Sequence, residues 1–222
     1  MKKQTPSMML KPIHAFAFAL FCGCLTPAPA TEGLLTDDST VFSASAPGTY
    51  GDSATLLVNS VTTKCMVLRF EIASMLPAGI KANQIATATL RLFTAAAPTG
   101  TGTVSVYKVL SSKSWTEANA TGVWAAGTDY DATAVLSAIP VTTFALNQYV
   151  AMDVTSAVKS WIATPGSNNG LIFRPSGTIS LTFQSKESTT MGHNAVLDIT
   201  LIPRTLPLGD VGMLQPPSGP LP

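Results

Sequence analysis

Charge is scarce in this chain. Only 11% of its 222 residues are Asp, Glu, Lys or Arg. Threonine, serine, alanine and glycine stand where lysine and glutamate usually do, which describes a hydroxyl-rich surface better suited to an extracellular β-protein than to a cytoplasmic helical enzyme. Histidine is scarcer still, at two residues, His14 and His193. A Cys/His metal cluster is thereby excluded. Of three cysteines, Cys22 and Cys24 lie in an N-terminal apolar stretch, so Cys65 has no intramolecular disulfide partner once that stretch is removed. No basic run or stripe exists of the kind that holds nucleic acid. HExxH, GxSxG, Walker A and GxGxxG motifs are also absent. The remaining acids (Glu71, Glu117, Asp153 and Glu187) read more simply as capping or ion-pair partners than as a catalytic pair, and the expectation is that the chain is not an enzyme.

The first residues have the order of an export signal. Lys2, Lys3 and Lys11 form a basic region, 13–25 is apolar, and Ala28-Pro29-Ala30 resembles a cleavage site. Residues 1–30 are expected to be a signal peptide, with lipid attachment at Cys24 as the alternative, and the protein to be secreted without a membrane span. Cleavage after Ala30 removes three lysines. It leaves 10 basic and 12 acidic residues and a formal charge of −2. At the other end, residues 203–222 are rich in proline and glycine, cannot build a core, and are expected to be a disordered tail or a linker to a cell-surface or matrix partner.

Between these ends the dominant signal is alternation. In 65–72, Met66, Leu68, Phe70 and Ile72 share one face of a strand. In 85–93, Ala86, Ala88, Leu90 and Leu92 do the same. The opposite faces are mixed and carry Arg69 and Arg91, and Pro77 and Gly79 turn the chain between the two strands. Further strands are expected near 40–43, 55–60, 103–110, 141–144, 149–154, 171–174, 178–184 and 195–201, with residues 31–36 a short leader. Helical spacing appears once, in 155–163, where Val154, Ala157, Val158, Trp161 and Ile162 recur on one side. Asp153 or Thr155 can cap its start, and Pro165-Gly166 ends it. The expected fold is all-β: a jelly-roll-like antiparallel β-sandwich with one short helix, in a single domain over 37–202.

These segments carry a resemblance. Thr49–Leu56, Val67–Phe93, the Ser114-Trp115-Thr116-Glu117 element with Trp124 after it, Asp153–Trp161, Asn168-Asn169-Gly170, and Ser185-Lys186-Glu187 follow one another in an order that resembles the DNRLRE domain, also classed as carbohydrate-binding module family 96. Lysine at 186 stands where that family has arginine, and the spacing to Trp124 is not the common one. The resemblance implies non-catalytic binding of an extracellular polysaccharide, alginate in some members. Candidate ligand contacts are then Arg69, Arg91, Arg174 and Lys186, which could meet the carboxylates of an acidic chain, and Trp115, which could stack on a sugar. The plainer reading pairs these cations with Glu71, Glu117, Glu187 and Asp198, and uses Trp115, Trp124 and Trp161 to pin loops and fill the core. A structural or adhesive surface module is the alternative function. No cofactor is expected beyond a structural calcium ion near Asp37, Asp38, Asp129 and Asp131.

Overall fold

The computed structural model describes residues 30–42, 48–189 and 192–203. The expected signal segment before Ala30, Ser43 and the tail from residue 204 lie outside the described residues. Ten strands form in chain order: β1 (Ala30–Phe42), β2 (Thr55–Asn59), β3 (Lys64–Glu71), β4 (Ile85–Phe93), β5 (Gly102–Lys108), β6 (Leu136–Pro140), β7 (Tyr149–Asp153), β8 (Leu171–Gly177), β9 (Ser180–Gln184) and β10 (Val196–Leu201). Among the described residues a single α-helix, α1 (Thr155–Ala163), lies between β7 and β8. Every ladder between these strands is antiparallel. The strands run in the order β6-β5-β8-β3-β1-β10-β4-β7, with β2 and β9 joined beside β3. The result is a nearly closed, barrel-like sandwich, as the alternation anticipates. No helix among the described residues is long and apolar enough to cross a membrane.

The long β1 joins the two sheets. Ala30–Gly33 pair with β10, and 34–42 pair with β3. The expected leader 31–36 and late strand start are therefore corrected: these residues belong to β1, which is described from Ala30. The register slips between Leu35 and Asp37, so Thr36 is an extra residue that breaks the period of 2. Two partners and a bulge leave β1 with no single alternation to read.

Between the sheets, Leu68 and Phe70 of β3, Leu90 and Leu92 of β4, Leu171 and Phe173 of β8, Leu181 and Phe183 of β9, and Leu197 and Ile199 of β10 form one core. Each such side chain stabilises the fold by about 1.5–3 kcal/mol when fully buried. Helix α1 closes one end with Ala157, Val158 and Trp161. The N-cap position falls on Val154 and has no side-chain cap, so neither Asp153 nor Thr155 caps the helix; the Asp153 carboxylate, one residue before the cap, accepts the Thr155 amide at 2.9 Å. The bonds from Thr155 hold the Asp153 carboxyl below its ordinary value.

Two local expectations change. Ala86 is not a core residue, because the register shift near Leu201 leaves it opposite no partner and turns Ile85 inward instead. The strand placed near 141–144 is β6, at 136–140. Val141–Thr143 form a 3-10 turn, whose three-residue period brings Val141 and Phe144 onto one buried side.

Candidate functional site

Side chains of the other parity leave the sandwich outward, and the two sheets differ there. On β3 and β8 the outward residues Cys65, Val67 and Ile172 are apolar and fully buried. The connection between β5 and β6 folds over them. Val109, Trp115, Ala120, Trp124 and Tyr130 pack onto that face with Val41 as a second core. Both indole N–H groups donate to backbone, Trp115 to the Asn169 carbonyl at 3.0 Å and Trp124 to that of Thr121 at 3.1 Å. Trp115 is 3% exposed and meets Trp124 edge-on at 5.8 Å, so it offers no open face to a sugar. The expected stacking role for Trp115 gives way to the pinning role. Gly170 lets β8 approach β3: at φ +92° any Cβ there would sit 2.1 Å from the Leu68 carbonyl oxygen.

Three of the four candidate cations serve this cover. Arg69 donates twice to Asp37 Oδ2, at 3.0 and 2.7 Å. Its remaining bonds go to the Trp115 carbonyl and to Asn169 Oδ1, and its guanidinium lies 4.8 Å from the Trp115 ring centre. Burial raises the Asp37 carboxyl, but the bonds it accepts, from Arg69 first, outweigh this and hold it below its ordinary value. Arg174 donates to the Trp124 carbonyl and to the Tyr130 hydroxyl. The Lys186 ammonium sits 2.5 Å from both Glu117 Oε2 and Glu187 Oε1, which hold it charged. Lys186 pairs as the plainer reading has it, whereas Arg69 takes Asp37 in place of Glu71 and Arg174 takes a carbonyl and a hydroxyl in place of an acid. Glu71 instead accepts the amides of Ala73 and Ser74.

The acids named for calcium do not converge. Asp37 and Asp38 lie within β1, Asp129 takes Lys113 at 2.9 Å, and Asp131 takes Lys108 at 3.2 Å. Elsewhere, a hollow of about 450 Å³ lies between α1 and the β3–β4 connection. Its walls include Ile72, Leu76, Ile80 and Ile162, with Glu71 and Asn168 also on its lining.

Among the described residues, no segment covers the outer face of β1, β10 and β4 or most of β7. Glu32, Asp198, Thr89 and Asp153 are aligned across its four strands. Thr87 and Thr200 pair on one side of that row, and Val196, Arg91 and Ala151 align on the other. All of these residues are exposed or half-exposed. Arg91 donates through Nε to Asp198 Oδ2 at 2.6 Å, which keeps it charged, and its side chain is 39% exposed. Its guanidinium lies 5.7 Å from the ring centre of Tyr149, which is 41% exposed. Tyr149 meets Phe93 edge-on at 5.2 Å, and the His193 ring stacks on Phe93 at 4.0 Å. An accessible aromatic ring beside a guanidinium, carboxylates and threonine hydroxyls can hold a pyranose, the ring against its C–H face and the polar groups on its hydroxyls.

Arg91 is thus the candidate cation on open ground, and it does not share a face with Arg69. Strands β1 and β10 separate β3 from β4, and the two arginines leave the outer faces of different sheets. Sequence reading missed Tyr149. The signal was available in Tyr149–Asp153, where Val150 and Met152 take the core positions and place Tyr149 outward with Ala151 and Asp153.

The described residues thus form a two-sheet antiparallel sandwich with one outer face buried and the other polar and open. The sequence profile of carbohydrate-binding module family 96 matches residues 30–200, from the first residue of β1 into β10. The chain belongs to that family, and by family it is a carbohydrate-binding module. No curated protein matches it.

Proposed function

We propose that this module binds an extracellular polysaccharide, without catalysis, on the open face of β1, β10, β4 and β7. One observation carries the reading: of the two outward sheet faces, the other is buried under Trp115, Trp124 and Tyr130, whereas this one presents Tyr149 and Arg91. The sequence resemblance suggested an acidic, alginate-like ligand held by several cations. Arg69, Arg174 and Lys186 are each engaged within the protein, and Arg91 shares its face with Glu32, Asp198 and Asp153. A polyuronate laid there meets three carboxylates for one guanidinium, so the geometry favours a neutral glycan recognised through its hydroxyls. The N-terminal signal-like segment supports export, and the Pro/Gly-rich tail supports a tether to a surface or matrix partner.

Affinity electrophoresis in gels holding a neutral β-glucan, alginate or no polymer tests this. The expected result is retardation in the neutral glucan that persists at high salt and is lost in Tyr149→Ala. Migration that is identical in all three gels would sink the binding reading and put a structural or adhesive module in its place. Retardation in alginate alone, abolished by salt, would restore the acidic ligand.

A further inference from the structure

Three stretches of chain close over the middle of β1 and bring a carboxylate cluster together. Asp38 is sealed from solvent at 0% exposure. Its Oδ2 accepts the Lys186 amide at 2.8 Å, while its Oδ1 is buried and meets no donor among the described residues. Glu117 and Glu187 reach the same spot, and carboxylate oxygens of the three residues lie within 4.8 Å of one another. Glu187 Oε2 is likewise buried without a donor. A single ammonium, Lys186 Nζ, faces the group, held by Glu117 and Glu187. Three carboxylates against one ammonium leave an excess of negative charge around a buried residue. Interiors tolerate such an excess only when a further cation or proton neutralises it.

We propose that Asp38, Glu117 and Glu187 form a site for a hard divalent cation of the calcium type, with the Lys186 ammonium as its internal competitor. Calcium takes about six to eight oxygens at about 2.3–2.6 Å, and three carboxylates binding singly or bidentately, completed by water, supply such a shell. The two donorless oxygens, Asp38 Oδ1 and Glu187 Oε2, have no hydrogen-bond partner among the described residues and are open to a cation. The scaffold holds the ligands before any ion arrives. The Glu117 amide donates to Asp37 Oδ1 at 3.1 Å, and Ser185 Oγ accepts the Glu187 amide at 3.2 Å while donating to the Ser53 carbonyl at 2.6 Å. Gly51 packs so closely that a Cβ there would lie 2.5 Å from Glu117 Cγ and from its carbonyl oxygen. Lys186 is 29% exposed along its side chain and can swing outward when the ion enters. A bound ion would tie the stretches around residues 51–53, 116–119 and 185–188 to β1.

The test is terbium luminescence excited through tryptophan, with Trp115 two residues from Glu117, together with thermal melting in calcium chloride against EDTA. Wild type should give a terbium signal that calcium displaces, and should melt higher in calcium. Lys186→Gln removes the competitor and should bind calcium about tenfold tighter, roughly the worth of the ion pairs it no longer has to break. Asp38→Asn should lose the signal while keeping its near-ultraviolet circular dichroism. If that variant does not fold, the Lys186→Gln arm still decides. No signal or melting shift in wild type overturns the proposal, even if Lys186→Gln binds, because the native ammonium would then outcompete the metal. A folded Asp38→Asn that binds like wild type overturns it as well.

Discussion

On β3 and β8 the outward positions include Cys65, Val67 and Ile172; on β4 they are Thr87, Thr89 and Arg91, with Phe93 at the strand end beneath Tyr149 and His193. Both sheets alternate with the same period and bury the same kind of inner face. What differs is what they turn to the outside. An apolar outer face is costly in water, and the connection carrying Trp115, Trp124 and Tyr130 covers it, with Arg69 and Arg174 donating to the loop's backbone carbonyls. A face of threonine, carboxylate and guanidinium has nothing to gain from a cover and stays open. Near the covered face, cations and tryptophans are fastenings; on the open face an arginine and a tyrosine are available to a ligand. Residue type alone does not distinguish these roles, and the face does.

The comparison is broken most directly by truncating one aromatic on each side. Trp124→Ala should cost about 3–5 kcal/mol in urea unfolding, because it empties the second core. Tyr149→Ala, at an exposed ring, should stay within about 0.5–1 kcal/mol yet abolish glycan retardation. Equal stability losses would mean that both faces are structural.

A smaller contrast lies in the arginines. Arg174→Met leaves the Trp124 carbonyl and the Tyr130 hydroxyl without their charged donor and should cost about 1.5–3 kcal/mol, with binding unchanged in the folded fraction. Arg91→Met loses a half-exposed ion pair worth about 0.2–1 kcal/mol, and should weaken binding instead. Weakened binding by Arg174→Met at full folding would put the ligand on the covered side.

The smallest effect is acid sensitivity. Asp153 on the open side and Asp129 on the covered side both titrate below the ordinary 3.8. At Asp153 the bonds from Thr155 are the cause. At Asp129 burial works the other way and is outweighed by the Ala125 amide and Lys113. A depressed folded pKa gives stability that is present above the unfolded value and is lost as pH falls through the folded one. Melting temperature should therefore drop below about pH 3.8, and Asp153→Asn should flatten that drop by lowering the melting temperature at neutral pH, with the two curves converging in acid. An unchanged acid limb would mean that Asp153 makes no such bond in solution.

Much of this fold was legible in sequence, for stated reasons. Strands β2, β3, β9 and β10 each keep an unbroken inner alternation, and α1 spans the 155–163 expected from its spacing. Strand β1 was not legible, because Thr36 is an extra residue and the strand changes partner midway. Strand β6 was hidden by a bulge opposite Ser105, where Ala138 takes φ 53° and its amide bonds to the Ser105 hydroxyl. The candidate site was half legible. Arg91 and its partner Asp198 could be named from their residue types, but whether Arg69 lay beside Arg91 depended on strand order, which alternation does not encode. Cys65 and Val67 looked like a mixed face, and only the folded loop makes them a second core.

The central claim is that ligand meets the open sheet and not the covered one. Chemical-shift mapping reads this directly, with ¹⁵N-labelled protein titrated with oligosaccharides of the polymer that retards it in the gels. The account predicts shifts in the amides of Arg91, Tyr149, Ala151 and Asp198, with those of Trp115, Trp124 and Arg174 unmoved. Shifts confined to the 110–131 connection or to the surroundings of Arg69 would contradict it.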